Sequence, residues 1–271
     1  MLNASLASST KASYRHDLGH YITFHGSYYP NSALLPASVE QVSQFITICY
    51  LKTLNSPAIA YVPKVSGLVN PTESFIVKNL LHATRRHSSI DIRHAFSIKD
   101  IANIVKALPD IVTEPYLLIM YKAMILIAFC GLLRVGEITT HGHQNIIRKD
   151  AIKLGYQGNH VSTINIYMSS YMHSQGHPAS IPLCRQVLKY MCPVRALIRY
   201  LKCLSCPSGH LFHHNSGQTV SSSEFREVLR SCVSAFGLDP SCYTCNSLRI
   251  GGATHAYLMN MPSSQIYKLG G

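Results

Sequence analysis

The sequence predicts a mainly α-helical protein with a small antiparallel β-sheet, arranged as two domains. Most of the chain carries apolar residues at helical spacing behind short polar caps. Residues 161–168 instead alternate with a period near two, which predicts a strand. With 271 residues the chain is long enough for two domains, which we place at 1–92 and 93–271.

The first domain is expected to contain three or four helices joined by polar loops. The first helix begins after the serine-rich residues 8–10. The second begins at Ser38, which forms a capping box with Gln41. The third begins at Asn70, where Pro71 takes the first helical position. Its predicted apolar side consists of Phe75, Ile76 and Leu80.

A basic segment joins the two predicted domains. It contains Arg85, Arg86, Arg93 and three histidines. Such a segment suits a phosphate backbone, but it equally suits a solvated linker, and the sequence leaves both interpretations open.

The second domain is expected to begin with two helices. Ser97 and Asp100 cap the first of them, and Pro109 is expected to end it. The second begins at Pro115 and contains the apolar run 116–130, which is shorter than the roughly 20 residues that span a bilayer. We therefore expect a buried core helix and no membrane partner.

The small sheet follows these helices. Residues 161–168 and 178–183 predict two paired strands with a turn at 170–177, and a shorter strand near 151–156 completes the sheet.

A helix beginning at Pro193 comes after the sheet. It has apolar residues on one face and Arg195 and Arg199 on the other, which suits a phosphate backbone or solvent. A further helix is capped by Ser221 and Glu224.

The charge of the chain indicates a polyanionic partner. Lys and Arg number 24 against 12 Asp and Glu, a formal net charge of +12. From Arg148 to Lys202 the basic residues face a single acidic residue, Asp150. Nucleic acid and an anionic membrane surface both fit this excess, and a merely basic soluble protein is the plain alternative.

Two motifs, each built around an arginine, carry the chemical information. Residues 130–138 place Arg134 one helical turn before Glu137, so the carboxylate can hold the guanidinium if the helix continues. Residues 246–254 place Arg249 at the start of another helix. Each arginine can be interpreted as an ordinary ion pair at a helix end or as a group that binds an oxyanion. Two rigid arginines can also converge on one phosphate and stabilise its pentacoordinate transition state.

The two motifs resemble the arginine boxes of the tyrosine recombinases, the phage integrase family. Gly-Leu-Leu-Arg-Val-Gly-Glu within 130–138 resembles the first box. Asn-Ser-Leu-Arg-Ile-Gly-Gly-Ala-Thr resembles the second, which is normally His-x-Leu-Arg. The two motifs are similar to those of the recombinases that eukaryotic mobile elements carry. The resemblance covers nearly the whole chain and implies a helical core-binding domain that clamps duplex DNA, followed by a catalytic domain that is incomplete at its C-terminus.

The resemblance implies DNA cleavage and rejoining through a phosphotyrosine intermediate, without a metal or other cofactor. It assigns Arg134 and Arg249 to the non-bridging phosphate oxygens, and Glu137 to the support of Arg134. Asn246 takes the family's histidine position, where its amide can donate a hydrogen bond but cannot shuttle a proton. Tyr171 takes the position of the hairpin lysine that protonates the leaving oxygen, and a phenol with an ordinary pKa near ~10 is a poor acid for this step. His173 and His177 are nearby alternatives.

The nucleophilic tyrosine has no clear counterpart. In the family it lies on a helix beyond a Leu-Gly stretch, which this sequence reaches at Leu269-Gly270. Tyr257 and Tyr267 are the tyrosines that follow Arg249 and are better explained by packing at helical spacing. We therefore expect a recombinase homologue that is inactive or incomplete. The alternative is a non-catalytic DNA-binding or scaffold protein derived from a mobile-element recombinase.

Duplex DNA is the expected partner, with a homo-oligomer assembled on it. The residues expected to contact its backbone are Arg85, Arg86, Arg148, Lys149, Arg195 and Arg199.

A zinc centre is the competing interpretation of one segment. Cys203, Cys206, His210, His213 and His214 have suitable residue types, but the resemblance implies a connecting loop without metal. Nine scattered cysteines without a framework indicate reduced thiols, and hence a nuclear protein in a eukaryote or a cytoplasmic one otherwise.

Overall fold

The computed structural model describes residues 8–51, 69–87, 93–140, 146–168, 179–204 and 209–270. Two compact units divide the chain, Met1–Asp91 and Ile92–Gly271, and each has its own hydrophobic core. The fold is mainly helical with a three-stranded antiparallel sheet, which confirms the predicted fold class. The assignment of the first unit to DNA clamping stays a prediction.

The first unit is helical in its described part. Ser38 Oγ accepts a hydrogen bond from the Gln41 N–H at 3.1 Å, and Gln41 Oε1 accepts one from the Ser38 N–H at 2.8 Å, which confirms the predicted capping box. The core is built from Tyr21, Phe24, Val42, Phe45, Ile46 and Val77. The helices are α1 (Ser8–Tyr28), α2 (Val39–Leu51) and α3 (Phe75–His87), with a 3₁₀ helix at Pro71–Glu73.

The apolar side predicted for α3 is wrong at Phe75 and Ile76, whereas Leu80 packs against the core as predicted. Phe75 and Ile76 are 80% and 63% exposed, whereas Val77 is fully buried. Asn70 caps only the short 3₁₀ helix, and α3 begins anew after Ser74, whose Oγ accepts from the Val77 N–H at 3.2 Å. Because the helix begins later than expected, its buried stripe falls on different residues.

The second unit is organised around a buried helix. Its helices are α4 (Ile98–Ile111), α5 (Pro115–Cys130), α6 (Val135–Ile138), α7 (Pro193–Cys203), α8 (Ser222–Ala235), α9 (Cys245–Leu258) and α10 (Ser263–Gly270). From Met120 to Phe129 of α5 every side chain except that of Lys122 is buried, as expected for a helix that is apolar all round. Within the described ranges, no helix combines the length and apolarity that a bilayer crossing requires.

Helix α4 begins as predicted and ends later than predicted. Ser97 Oγ accepts from the Asp100 N–H at 3.2 Å, and the Asp100 carboxylate accepts from the Ser97 N–H at 2.7 Å. The helix runs past Pro109, although this residue cannot donate a backbone hydrogen bond. The Val112 N–H still reaches the Leu108 carbonyl at 2.9 Å.

Three strands form the sheet in the order β1 (Ile152–Gln157), β2 (His160–Met168) and β3 (Ala179–Cys184). Ile164 pairs with Leu183, and Ile166 pairs with Ile181. All four side chains are buried, so this face of the sheet packs into the core of the second unit. The predicted turn at 170–177 lies outside the described residues.

Candidate functional site

Arg134 lies in a turn between two helices. Helix α5 ends at Cys130, Gly131 follows as its C-terminal cap, and Leu132 has a left-handed φ of 54°. The helix therefore does not continue to Arg134, which is instead the N-cap residue of α6. Its contact with Glu137 arises from the cap of the new helix and not from two neighbouring turns of an old one.

Glu137 holds Arg134 at two points. One carboxylate oxygen accepts a hydrogen bond from the Arg134 backbone N–H at 2.7 Å, and the other lies 3.5 Å from Nη1 of its guanidinium. The Glu137 carbonyl accepts from the Ile147 N–H at 2.9 Å, which ties the turn to the segment before β1. The two side chains are 20% and 8% exposed, for Arg134 and Glu137 respectively, so the guanidinium is largely fixed before any ligand arrives.

The electrostatics of Glu137 connect the two arginine motifs. Burial raises the pKa of its carboxyl group, and this is opposed by the Arg134 N–H hydrogen bond and by the charges of Arg134 and Arg249. A neighbouring charge shifts a carboxyl pKa appreciably only at short range. Both charges therefore favour the ionised form of the Glu137 carboxyl group.

Helix α9 positions Arg249 through contacts at its N-terminus. Ser247 Oγ accepts from the Thr244 N–H at 3.0 Å, and the Ser247 carbonyl accepts from the Phe96 N–H at 3.2 Å. The guanidinium of Arg249 donates through Nη2 to the carbonyl of Gly270 at the end of α10. Helix α10 therefore helps to fix the second arginine.

Two glycines after Arg249 allow α9 to approach the rest of the site. A Cβ atom on Gly252 would lie 2.0 Å from the Phe129 carbonyl oxygen, and one on Gly251 would lie 2.1 Å from that of Phe96. Only glycine fits at such distances. Gly252 thus allows α9 to approach the end of α5, and Gly251 allows it to approach the segment before α4. This signal was visible in the sequence as Gly-Gly two residues after the arginine, but its role in packing was not predicted.

The candidates for the family's histidine and lysine positions differ in what the structure describes of them. Asn246 lies in the first turn of α9, exposed and three residues before Arg249, which puts both on one side of the helix. Tyr171, with His173 and His177, lies outside the described residues.

The two tyrosines that follow Arg249 in the sequence are not packed. Tyr257 is 65% exposed and Tyr267 is 74% exposed, so their interpretation as core residues is wrong.

The predicted DNA-contacting residues fall in three places. Arg148 and Lys149 directly follow Ile147, which bonds to Glu137, and Arg148 Nε lies 3.2 Å from Asp150 Oδ1. Arg85 and Arg86 lie in α3 of the first unit, and their side chains are outside the described part. Arg195 and Arg199 lie in α7, beside the first half of α5. Contact of these residues with DNA stays a prediction.

The histidines of the zinc interpretation have other neighbours. His214 Nε2 lies 3.0 Å from Glu224 Oε1, and His213 Nδ1 lies 2.9 Å from the His214 carbonyl oxygen. Among the residues that the structure describes, no three metal-ligating side chains come together; Cys206 lies outside those ranges.

Comparisons with known proteins rest on structure. The sequence matches no protein-family model and no curated protein sequence. The chain is similar to the XerH site-specific recombinase bound to palindromic difH substrate in a post-cleavage complex, with a TM-score of 0.65 and 10% identity over 92% of this chain and 70% of that one.

Two further structures have a similar fold. One is a lambda integrase dimer bound to a COC′ core site, with a TM-score of 0.64 and 14% identity over 100% of this chain and 90% of that one. The other is the Tn1549 transposon integrase in complex with circular intermediate DNA, with a TM-score of 0.60 and 11% identity over 98% and 86%. These likenesses confirm that the chain has the tyrosine recombinase fold, as the two arginine boxes predicted.

Proposed function

We propose that this chain binds duplex DNA and grips one phosphodiester between Arg134 and Arg249. The observation that carries the proposal is that Arg134 follows the end of α5, while Gly252 brings α9, the helix of Arg249, against Phe129 at that same end. A planar guanidinium matches the oxygens of a phosphate, and one that is already fixed loses less entropy on binding. The formal charge of +12 supports a polyanionic ligand in addition.

The same arrangement suits phosphoryl transfer. A tyrosine oxygen would attack phosphorus, and the 5′ oxygen would leave with a proton, so that the phosphotyrosine bond conserves the energy for rejoining. Two arginines held in advance stabilise the charge of the pentacoordinate transition state. Asn246 can donate a hydrogen bond to the phosphate, and proton donation then falls to Tyr171 or another group.

The structural neighbours support a DNA substrate and assembly in more than one copy. The XerH and Tn1549 proteins were captured with DNA, and the lambda integrase was captured as a dimer on its core site. We extend this to the present chain: the first unit is a core-binding domain, the protein assembles on DNA, and it acts in the nucleus of a eukaryote or in the cytoplasm otherwise.

Salt-dependent binding to duplex DNA tests the proposal. The anisotropy of a fluorescent duplex, titrated with the full chain at rising NaCl, should give an affinity whose logarithm falls linearly with the logarithm of salt concentration. The absence of affinity for any duplex at low salt would refute the proposal.

A second candidate is a non-catalytic DNA-binding protein derived from a mobile-element recombinase. The observation in its favour is Asn246, an amide beside Arg249 where the family has a histidine. A nicked suicide duplex distinguishes the two candidates. A detergent-resistant protein–DNA adduct would establish catalysis, and its loss in Tyr257→Phe or Tyr267→Phe would locate the nucleophile. Binding without an adduct would favour the second candidate.

A further inference from the structure

A concave cleft of about 360 Å³ lies in the second unit between α4, α5 and α7. Its floor is apolar and includes Val105, Leu118 and Ile119. At 1.5 Å of rise per residue, Leu118 lies about 18 Å along α5 from Cys130, where the Arg134 turn begins. The cleft is therefore separate from the paired arginines.

Four cations surround this apolar floor, namely Lys122, Lys189, Arg195 and Arg199. None of the described residues that line the cleft is acidic, and Nε of Arg195 is buried without a hydrogen-bond partner among the described residues. Burial lowers the pKa of the Lys122 ammonium, and the charge of Arg199 lowers it further. Lys122 and Arg195 are half-buried, whereas Lys189 and Arg199 are exposed. Like charges gathered beside apolar side chains repel one another, and a ligand that supplies opposite charge relieves this repulsion.

Exposed apolar residues flank one residue of the cleft along the chain. Lys189 lines the cleft, and its neighbours Val187, Leu188 and Tyr190 are 96%, 56% and 42% exposed. A free anion would neutralise the rim but leave this surface in water. A DNA backbone offers phosphates and sugars, but no apolar group that would fill the floor. A protein segment with both apolar and acidic side chains satisfies both features.

We propose that this face of the second unit docks an acidic amphipathic segment of a partner protein. The apolar side chains of that segment fill the floor of the cleft, and its carboxylates pair with Lys122, Lys189, Arg195 and Arg199. The face would let the protein recruit a partner while Arg134 and Arg249 engage DNA.

The test uses the full chain and a fluorescein-labelled synthetic helix that repeats Glu-Glu-Leu-Leu. Two control peptides carry Gln for every Glu, or Ser for every Leu, and both should bind far more weakly. Arg199→Glu should weaken binding of the acidic helix by about tenfold, because it reverses a charge on the rim. The matched control is Lys202→Glu, an exposed residue of α7 that does not line the cleft, and it should change the affinity by less than about twofold.

Several results would overturn the proposal: no binding of the acidic helix, equal binding of either control peptide, or equal effects of Arg199→Glu and Lys202→Glu. Arg199 is exposed, so a circular dichroism spectrum should show the variant folded. If Arg199→Glu instead weakened duplex DNA binding as much as Arg134→Ala does, the cleft would belong to the DNA surface. If it abolished self-association, the cleft would belong to a second copy of the chain.

Discussion

Two groups of cations in the second unit are built in opposite ways. Arg134 and Arg249 are held by protein groups, the Glu137 carboxylate and the Gly270 carbonyl. Lys122, Lys189, Arg195 and Arg199 surround a cleft that has no acidic lining residue in the described part of the chain. The first group is therefore held by protein acceptors, whereas the second has no acidic neighbour among the described residues that line its cleft.

The difference indicates what each group can bind. Fixed guanidiniums give geometric selectivity, which suits a small tetrahedral anion whose oxygens must be held in one place. Cations that lack acidic neighbours give charge complementarity with less geometric demand, which suits a partner that brings its own carboxylates. Three changes test this contrast, in order of decreasing effect.

The close contact of α9 with Phe129, which supports the position of Arg249, can be disrupted at Gly252. Gly252→Ala should lower the free energy of unfolding by about 3 kcal/mol, because the new methyl group would overlap the Phe129 carbonyl oxygen. Urea denaturation followed by circular dichroism measures the change. The matched control is Gly26→Ala in α1, where a Cβ meets no atom within 4 Å, and its stability should be unchanged or slightly higher. Equal stability of the two variants would contradict the role given to Gly252.

The carboxylate that fixes the first group can be removed at Glu137. Glu137→Ala should cost about 2 kcal/mol of unfolding free energy, since the Arg134 N–H loses its acceptor in a buried turn. Glu137→Gln keeps an acceptor there and should retain most of the stability. Its neutral side chain should hold the Arg134 guanidinium less firmly and so weaken duplex binding. If both variants were as stable as the wild type, Glu137 would not be the support of this turn.

The electrostatic effect of Arg249 on Glu137 can be measured as a change in the pKa of the Glu137 carboxyl group. Arg249→Ala should raise this pKa further, because it removes one of the charges that oppose the effect of burial. Carbon-detected NMR titration of the labelled carboxyl group follows it. Arg199→Ala, from the second group, should leave the value unchanged.

The same pKa sets the sign of a pH effect on stability. Folding raises the pKa of Glu137, so folding favours its protonated form. The stabilising contribution is full below the unfolded-state pKa and is lost as the pH rises through the folded-state value. Arg249→Ala should move the upper end of that pH window upward.

The features that could be predicted from the sequence are those that depend only on residues close together along the chain. The caps at Ser38, Ser97 and Ser221 form as expected, because each needs only a side chain and an N–H group three residues away. The fully apolar α5 and the alternating β2 were likewise predicted, since burial imposes their periods directly.

Features that depend on distant contacts were not predicted. The left-handed Leu132 and the approach of Gly252 to Phe129 depend on residues brought together only by folding. The later start of α3 depended on a choice between Asn70 and Ser74 as its cap, which local pattern could not decide. The pairing of Arg134 with Arg249 was expected from the family resemblance and not from any periodicity.

A double-mutant cycle tests the central claim most directly. The affinity for a nicked duplex would be measured for the wild type, Arg134→Ala, Arg249→Ala and the double variant at one salt concentration. If both guanidiniums grip one phosphate, the second removal should cost less than the first, with a coupling energy of about 1 kcal/mol or more. Losses that add to within about 0.3 kcal/mol would contradict the claim, since they would mean two independent contacts.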